Sequence, residues 1–215
     1  MQILPSLLEY TVESLREKLE ILKNNPHFEL TRQESLHLHL DFVLAYFARE
    51  RSVRESLGFE SVHNLLTTRF ADQSLTLTIH FMGELDDLPG LLETLRAYPL
   101  NPLWNYVFFV PANYRRAFAG LERENVVVGV WYDLAEWQPP QDPDTPHLLM
   151  TVRAGLSGQK LEKPVEELAI EFTRHHENYF VLDGGWSVET DPSRFNDNVD
   201  VVSHSSFWGQ VLPEK

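Results

Sequence analysis

From Leu36 to Phe42 the chain reads Leu-His-Leu-His-Leu-Asp-Phe, with apolar and polar residues alternating without a break. That is the period of a β-strand, so Leu36, Leu38, Leu40 and Phe42 share one face and His37, His39 and Asp41 share the other. A polar row of this kind is costly to cover unless each group finds a partner. Taken alone, the strand fits an exposed face of an antiparallel sheet equally well. Two later strands shift the balance. Thr76-Leu77-Thr78-Ile79-His80 ends in another histidine, and Tyr179-Phe180-Val181-Leu182-Asp183 ends in an aspartate before Gly184-Gly185. Two imidazoles and two carboxylates at the carboxyl ends of three strands point to a divalent-metal site at one end of a barrel.

The rest of the chain supports a barrel. Gln2 to Leu4 is a short apolar strand, and Val12, Leu15, Leu19 and Leu22 recur at helical spacing until Asn24-Asn25-Pro26 stops them. Ala45 to Leu57 is charged and irregular, and Phe59 to Leu66 reads as a helix. After the strand that reaches His80-Phe81-Met82, a helix is marked by Leu88, Leu91, Leu92 and Leu95. Tyr106–Val110 and Val126–Trp131 are apolar on both faces, as parallel strands covered on both sides are. Tyr114 to Arg123 is a short helix between them. Asp133 to Pro146 is rich in Pro and Asp and predicts no helix. His147–Val152 is a sixth strand, Val165 to Phe172 a helix, and Val199–Val202 the eighth strand. Strand and helix alternate, so residues 1–215 are expected to form one domain, a parallel (β/α)8 TIM barrel with weak or missing helices after strands five and eight.

Composition narrows the partners. Acidic residues outnumber basic ones, 32 to 18, for a net charge of −14, a field that repels nucleic acid and anionic lipid. There is no cysteine, no apolar run long enough to span a bilayer and no basic leader before Pro5, which makes the reducing cytoplasm the expected location. An anionic ligand would have to be held by local donors.

At the carboxyl ends of barrel strands, His39, Asp41, His80 and Asp183 suit zinc, iron(II), manganese or cobalt better than magnesium or calcium. Asp41 and Asp183 could also act as general acid and base on opposite faces of a planar intermediate whose oxyanion the metal stabilises. His37 points to the same side one step deeper and reads as a layer residue. A second cluster is suited to an anion: Gly155 and Gly158 after strand six, Gly184 and Gly185 after strand seven, and Ser205 and Ser206 after strand eight. Glycines let backbone N–H groups approach a phosphate closely, and these loops are the usual phosphate position in such a barrel.

These residues, in this order, resemble the ribulose-phosphate 3-epimerase family. Ile3-Leu4-Pro5-Ser6-Leu7-Leu8 is similar to its opening strand and serine, His39-Leu40-Asp41 to its His-x-Asp, and His80-Phe81-Met82 to its His-x-Met. Met150-Thr151-Val152-Arg153-Ala154-Gly155-Leu156-Ser157-Gly158-Gln159 is similar to its Met-Thr-Val-Asn-Pro-Gly-Phe-Gly-Gly-Gln lid, and Leu182-Asp183-Gly184-Gly185 to its Val-Asp-Gly-Gly. The resemblance implies a metal-dependent barrel that inverts the third carbon of a ketose phosphate through an enediolate. It implies His39, Asp41, His80 and Asp183 as ligands of one divalent ion, with Asp41 and Asp183 exchanging the proton. It implies Ser6, Met82 and Met150 beside the sugar, and Gly155, Gly184, Gly185, Ser205 and Ser206 around the phosphate.

The chain departs from the family at several points. Val43-Leu44-Ala45 stands where the family has Met-Asp-Gly, Asp133-Leu134 where it has Asn-Pro, and Arg153-Ala154 where the lid has Asn-Pro. Arg153 is therefore expected to fork onto the ligand's anion, and the short tail to leave the outer face of strands one and eight poorly covered, with Phe207, Trp208 and Val211 available to cover it and self-association expected through that region. Val43 also stands where related phosphate-barrel decarboxylases need a lysine. The alternative to an epimerase is a non-catalytic barrel that binds a sugar phosphate or metal as a sensor or assembly subunit.

Overall fold

A computed structural model describes residues 1–24, 36–134 and 136–212; the expected helix stop at Asn25-Pro26 lies outside them. Eight strands close in chain order into one parallel barrel: β1 Ile3–Leu7, β2 Leu36–Val43, β3 Leu75–Met82, β4 Trp104–Pro111, β5 Val126–Tyr132, β6 His147–Met150, β7 Phe180–Asp183 and β8 Val199–Ser203. β8 pairs back onto β1, with Ile3 opposite Val201 and Pro5 opposite Ser203. The α-helices among the described residues are α1 Val12–Asn24, α2 Ala45–Arg51, α3 Phe59–Phe70, α4 Leu88–Ala97, α5 Arg115–Phe118, α6 Lys163–Arg174 and α7 Ser205–Val211. The architecture is a TIM-like α/β barrel.

The period of β2 decides what faces where. Leu38, Leu40 and Phe42 pack in one apolar cluster with Leu15 and Leu19 of α1 and Phe59 and Leu66 of α3. Phe42 stacks on Phe81 with ring centroids 5.4 Å apart. The alternate residues, His39 and Asp41, are then turned into the barrel, and the register that sets Asp41 opposite His80 carries the same parity to β3. An inner apolar cluster of Met82, Phe109, Trp131, Leu148, Met150, Val181 and Val202 fills the interior beside them.

The helix layer agrees with the sequence expectation after β5 and differs from it elsewhere. Ala45 to Arg51 is helical, although its own residues predict no helix there. Its first N–H groups are capped from a distance: Tyr46 and Phe47 donate to the Asp87 carboxylate at 2.8 and 3.0 Å. No α-helix follows β5 among the described residues, as expected; Trp137 straps that segment down by donating its indole N–H to the Met150 carbonyl at 3.1 Å. After β7 there is only a 3₁₀ turn, Pro192–Arg194.

α7, expected to be nearly absent, is short but does a full helix's work. Trp208 is buried, donates its indole N–H to the Ser6 carbonyl at 2.7 Å and carries Lys18 Nζ 4.8 Å above its ring. Phe207, Val211 and Leu212 pack on the same cluster. Behind β1, Trp208 and its neighbours in α7 thus supply the cover for which the sequence offers them.

Two histidines on the outer side of the sheet are buried in aromatic surroundings. His63 stacks on Tyr106 with centroids 5.9 Å apart, and His147 on Tyr132 at 5.8 Å. Burial lowers the pKa of each from 6.5 to about 4. The unfolded chain therefore binds more protons than the fold between these values, so their contribution to stability is complete above about 6.5 and is lost as pH falls toward 4. Neither ring nitrogen of His147 has a hydrogen-bond partner among the described residues. His147→Phe should accordingly raise the melting temperature more at pH ~5 than at pH ~8; an equal shift at both would mean that His147 is not buried neutral.

Candidate metal centre

β2, β3 and β7 bring His39, Asp41, His80 and Asp183 together inside the barrel, where one ligand atom from each lies within 4.8 Å of the other three. All four are at least nine-tenths buried. His39 Nε2 stands 3.2 Å from Asp41 Oδ1 and 3.7 Å from Asp183 Oδ2. His80 Nδ1 stands 3.3 Å from Asp41 Oδ1 and 3.4 Å from Asp183 Oδ2. Ligands about 2.1 Å from a tetrahedral ion lie about 3.4 Å from one another. The four His–Asp separations are thus close to those of a coordination shell, and the cluster could hold a metal ion.

The surroundings orient these atoms. Thr78, two residues before His80 and opposite His39 in the β2–β3 register, donates its hydroxyl to the Leu38 carbonyl at 3.3 Å. Its oxygen is left to accept from His39 Nδ1 at 3.0 Å, which leaves the lone pair of Nε2 facing the cluster. The His80 ring is held instead by packing, edge-on to Trp131 at 4.8 Å, while Trp131 donates its own N–H to the Phe81 carbonyl. Ser6 donates to Asp41 Oδ2 at 2.7 Å, so Asp41 offers the cluster its other oxygen. Asp183 is fixed through the chain on either side. The Thr151 hydroxyl bonds to the Gly184 carbonyl at 2.6 Å and takes the indole N–H of Trp186 at 3.0 Å.

Burying two carboxylates side by side costs several kcal/mol per ion unless cations or donors answer them. Burial pushes the Asp41 pKa up, but the His39 charge and the hydrogen bonds of His39 and His80 outweigh it and hold the carboxyl well below the usual range. For His80 burial acts downward, and the hydrogen bonds and charges of Asp183 and Asp41 win, raising it. A protonated His80 ring answers part of the aspartates' charge, as a divalent cation would, so metal uptake must compete with that proton.

Above the cluster opens a cavity of about 300 Å³. Asp41 and Asp183 form part of its wall, together with Ser6, Met82 and Met150. Gly155, Gly158, Gly184, Gly185, Ser205 and Ser206 line it too, so the anion cluster read from the sequence shares one space with the ligand cluster. Gly184 and Gly185 have φ of +114° and +77°. A Cβ on Gly184 would meet Val152 Cγ2 at 2.3 Å, and one on Gly185 the Leu161 backbone N at 2.5 Å. Path and close packing both require glycine there, whatever the cavity holds.

Arg153 is not brought to this cavity. It is exposed, and its guanidinium donates to the Arg51 carbonyl at 2.9 Å, outside the lining. The backbone after β6 turns that side chain toward α2, a direction that no local pattern reveals. His37 also stays out of the cluster, with Nδ1 3.3 Å from Gln2 Oε1 near the other end of the barrel. Sequence reasoning missed Thr78, Lys160, Trp186 and His204. The parity of β3 marks Thr78 as inward-facing; the others depend on how the loops fold back. No protein-family model matches the chain, and no curated protein matches it. Among the described residues no helix is long and apolar enough to cross a membrane.

Proposed function

We propose that this chain is a metal-dependent epimerase that inverts the third carbon of a phosphorylated ketose, ribulose 5-phosphate or a close relative, in a divergent (β/α)8 barrel of the ribulose-phosphate 3-epimerase type. The observation that carries the reading is the joint placement of Asp41 and Asp183, on strands from different parts of the barrel, at the floor of one small cavity beside His39 and His80. His39, Asp41, His80 and Asp183 would hold one divalent ion of the zinc, iron(II), manganese or cobalt kind, which supplies a Lewis acid for negative charge developing on a substrate oxygen.

The chain's own residues do the rest. One aspartate takes the proton from the carbon beside the carbonyl, and the other returns a proton from the opposite face. Inversion needs two such groups and no more. Asp41, held ionised by its histidine neighbours and steadied by Ser6, is suited to accept a proton once substrate displaces water. Met82, Met150 and Val202 present an apolar wall that keeps bulk water from the exchanging proton. In deuterated water, metal-loaded protein turning over ribulose 5-phosphate should place label at the inverted carbon. Turnover without label would contradict proton exchange, and no turnover across a panel of phosphorylated ketoses would contradict the reading.

A further inference from the structure

Which oxygen Asp41 offers the cluster is decided by Ser6, whose hydroxyl occupies Oδ2 and leaves Oδ1 to face His39 and His80. Whatever holds Ser6 therefore reaches the cluster. The paired register of β1 and β8 ends at Pro5 and Ser203, one residue short of Ser6. Just past that point the indole N–H of Trp208 donates to the Ser6 carbonyl at 2.7 Å, the short end of the range for a nitrogen donor. One residue thus has its backbone tied to α7 and its hydroxyl tied to Asp41.

The indole is held in turn. The Lys18 ammonium sits over its face, 4.8 Å from the ring centroid, and donates to Glu9. The second Glu9 oxygen takes the Ser14 hydroxyl, and the Glu9 carbonyl takes the Leu57 N–H at 2.8 Å. Lys18 and Glu9 are both buried. Such a pair adds little net stability, because stripping water from two charges offsets their attraction; what it fixes is where the ammonium stands. Contacts therefore run without a gap from Glu9 and Lys18 through Trp208 and Ser6 to Asp41. Cover behind β1 asks only for a large apolar ring, and phenylalanine would serve. The N–H aimed at the Ser6 carbonyl is what cover does not need.

We propose that Trp208 is a positioning residue for the metal centre: it holds the Ser6 backbone, with Lys18 fixing the ring, and so keeps Asp41 Oδ1 turned toward His39 and His80; this rests on reading the cluster as a metal site. Without the indole N–H the buried Ser6 carbonyl loses a partner, and the backbone shifts to find another. The hydroxyl moves with it, and Asp41 loses the contact that orients it. Support of this kind behind a ligand governs how tightly a metal is held.

Cobalt(II) affinity of the full chain, measured against a competing chelator in a double-substitution cycle, tests this. Ser6→Ala should weaken binding about 10–100-fold, and Trp208→Phe, which keeps a ring but no N–H, about tenfold, the lower end of what such support is worth. The visible bands of bound cobalt should shift in Trp208→Phe. In a Ser6→Ala background, Trp208→Phe should cost no further affinity, because its effect passes through the Ser6 hydroxyl. Val211→Ala, which removes packing from the same helix, should lower the melting temperature and leave cobalt affinity unchanged. Lys18→Gln keeps a donor for Glu9 and removes the charge over the ring; it should give a smaller loss that also vanishes with Ser6→Ala, and it carries the cycle if Trp208→Phe does not fold. Unchanged affinity in Trp208→Phe, or in Lys18→Gln where that variant stands in, would overturn the proposal. So would equal losses with and without the Ser6 hydroxyl, or a comparable loss in Val211→Ala. Each of these, found in protein that binds cobalt, would leave the metal site standing. Unsubstituted protein that binds no cobalt would overturn the metal reading itself and leave Trp208 as cover alone.

Discussion

Asp183→Asn should lower turnover of a phosphorylated ketose by a factor of about 10²–10⁴ or more while leaving the chain folded. Asparagine keeps an oxygen where Asp183 Oδ2 faces His39 and His80, and it keeps the shape that packs below Gly184. What it loses is the ability to carry a proton. Because Asp183 is assigned both as ligand and as proton carrier, metal content should be measured on the same sample. With Asp41, His39 and His80 intact the site should still take up metal, and a metal-loaded but inactive variant isolates the proton-transfer role. Turnover near that of the unsubstituted protein would rule out the two-carboxylate mechanism. The same substitution should abolish solvent label at the inverted carbon, since one face of the substrate would no longer have its acid or base.

Phe108→Ala should be the most damaging single truncation outside the site. Phe108 sits on β4, fully buried, on the helix side of the sheet. Its ring lies 5.8 Å from those of Phe81 and Tyr106 and 6.3 Å, edge-on, from that of Phe59. These partners come from α3, β3 and β4, so the space cannot collapse without moving several elements at once. A cavity of that kind costs about 3–5 kcal/mol, which for a chain of this size is a fall of about 6–20 °C in melting temperature. A loss below about 1 kcal/mol would mean that this layer repacks freely. Metal uptake at low temperature should be retained, because Phe108 faces away from the cluster.

Much of the centre is legible in the sequence because period-two alternation is a local signal that survives folding. In β2 it separates Leu38, Leu40 and Phe42 from His39 and Asp41, and a closed parallel barrel then turns the polar set inward with His80 and Asp183. What is not legible depends on partners distant in the chain. α2 forms over a charged, unpromising stretch because Asp87, on the loop after β3, caps it. Trp208 reads only as an aromatic available to cover the outer face of strands one and eight, and its bond to the Ser6 carbonyl behind β1 has no local signal. Arg153 occupies a promising lid position, but the Arg51 carbonyl of α2 takes its guanidinium. Lys160, a few residues further along, is the cation that reaches the cavity. Thr78 stands between: its inward parity is readable, while its service to His39 requires the β2–β3 register.

The central claim is that His39, Asp41, His80 and Asp183 form one coordination site, and titration with cobalt(II) tests it most directly. The four His–Asp separations of 3.2–3.7 Å suit a four-coordinate ion, so about one equivalent of cobalt should bind per chain with the intense visible bands of such an ion. His80→Ala and His39→Ala, which remove a ligand atom outright, should each abolish those bands and the stoichiometric binding. Failure of the unsubstituted protein to bind any divalent transition metal stoichiometrically, or unchanged binding in both variants, would contradict the account.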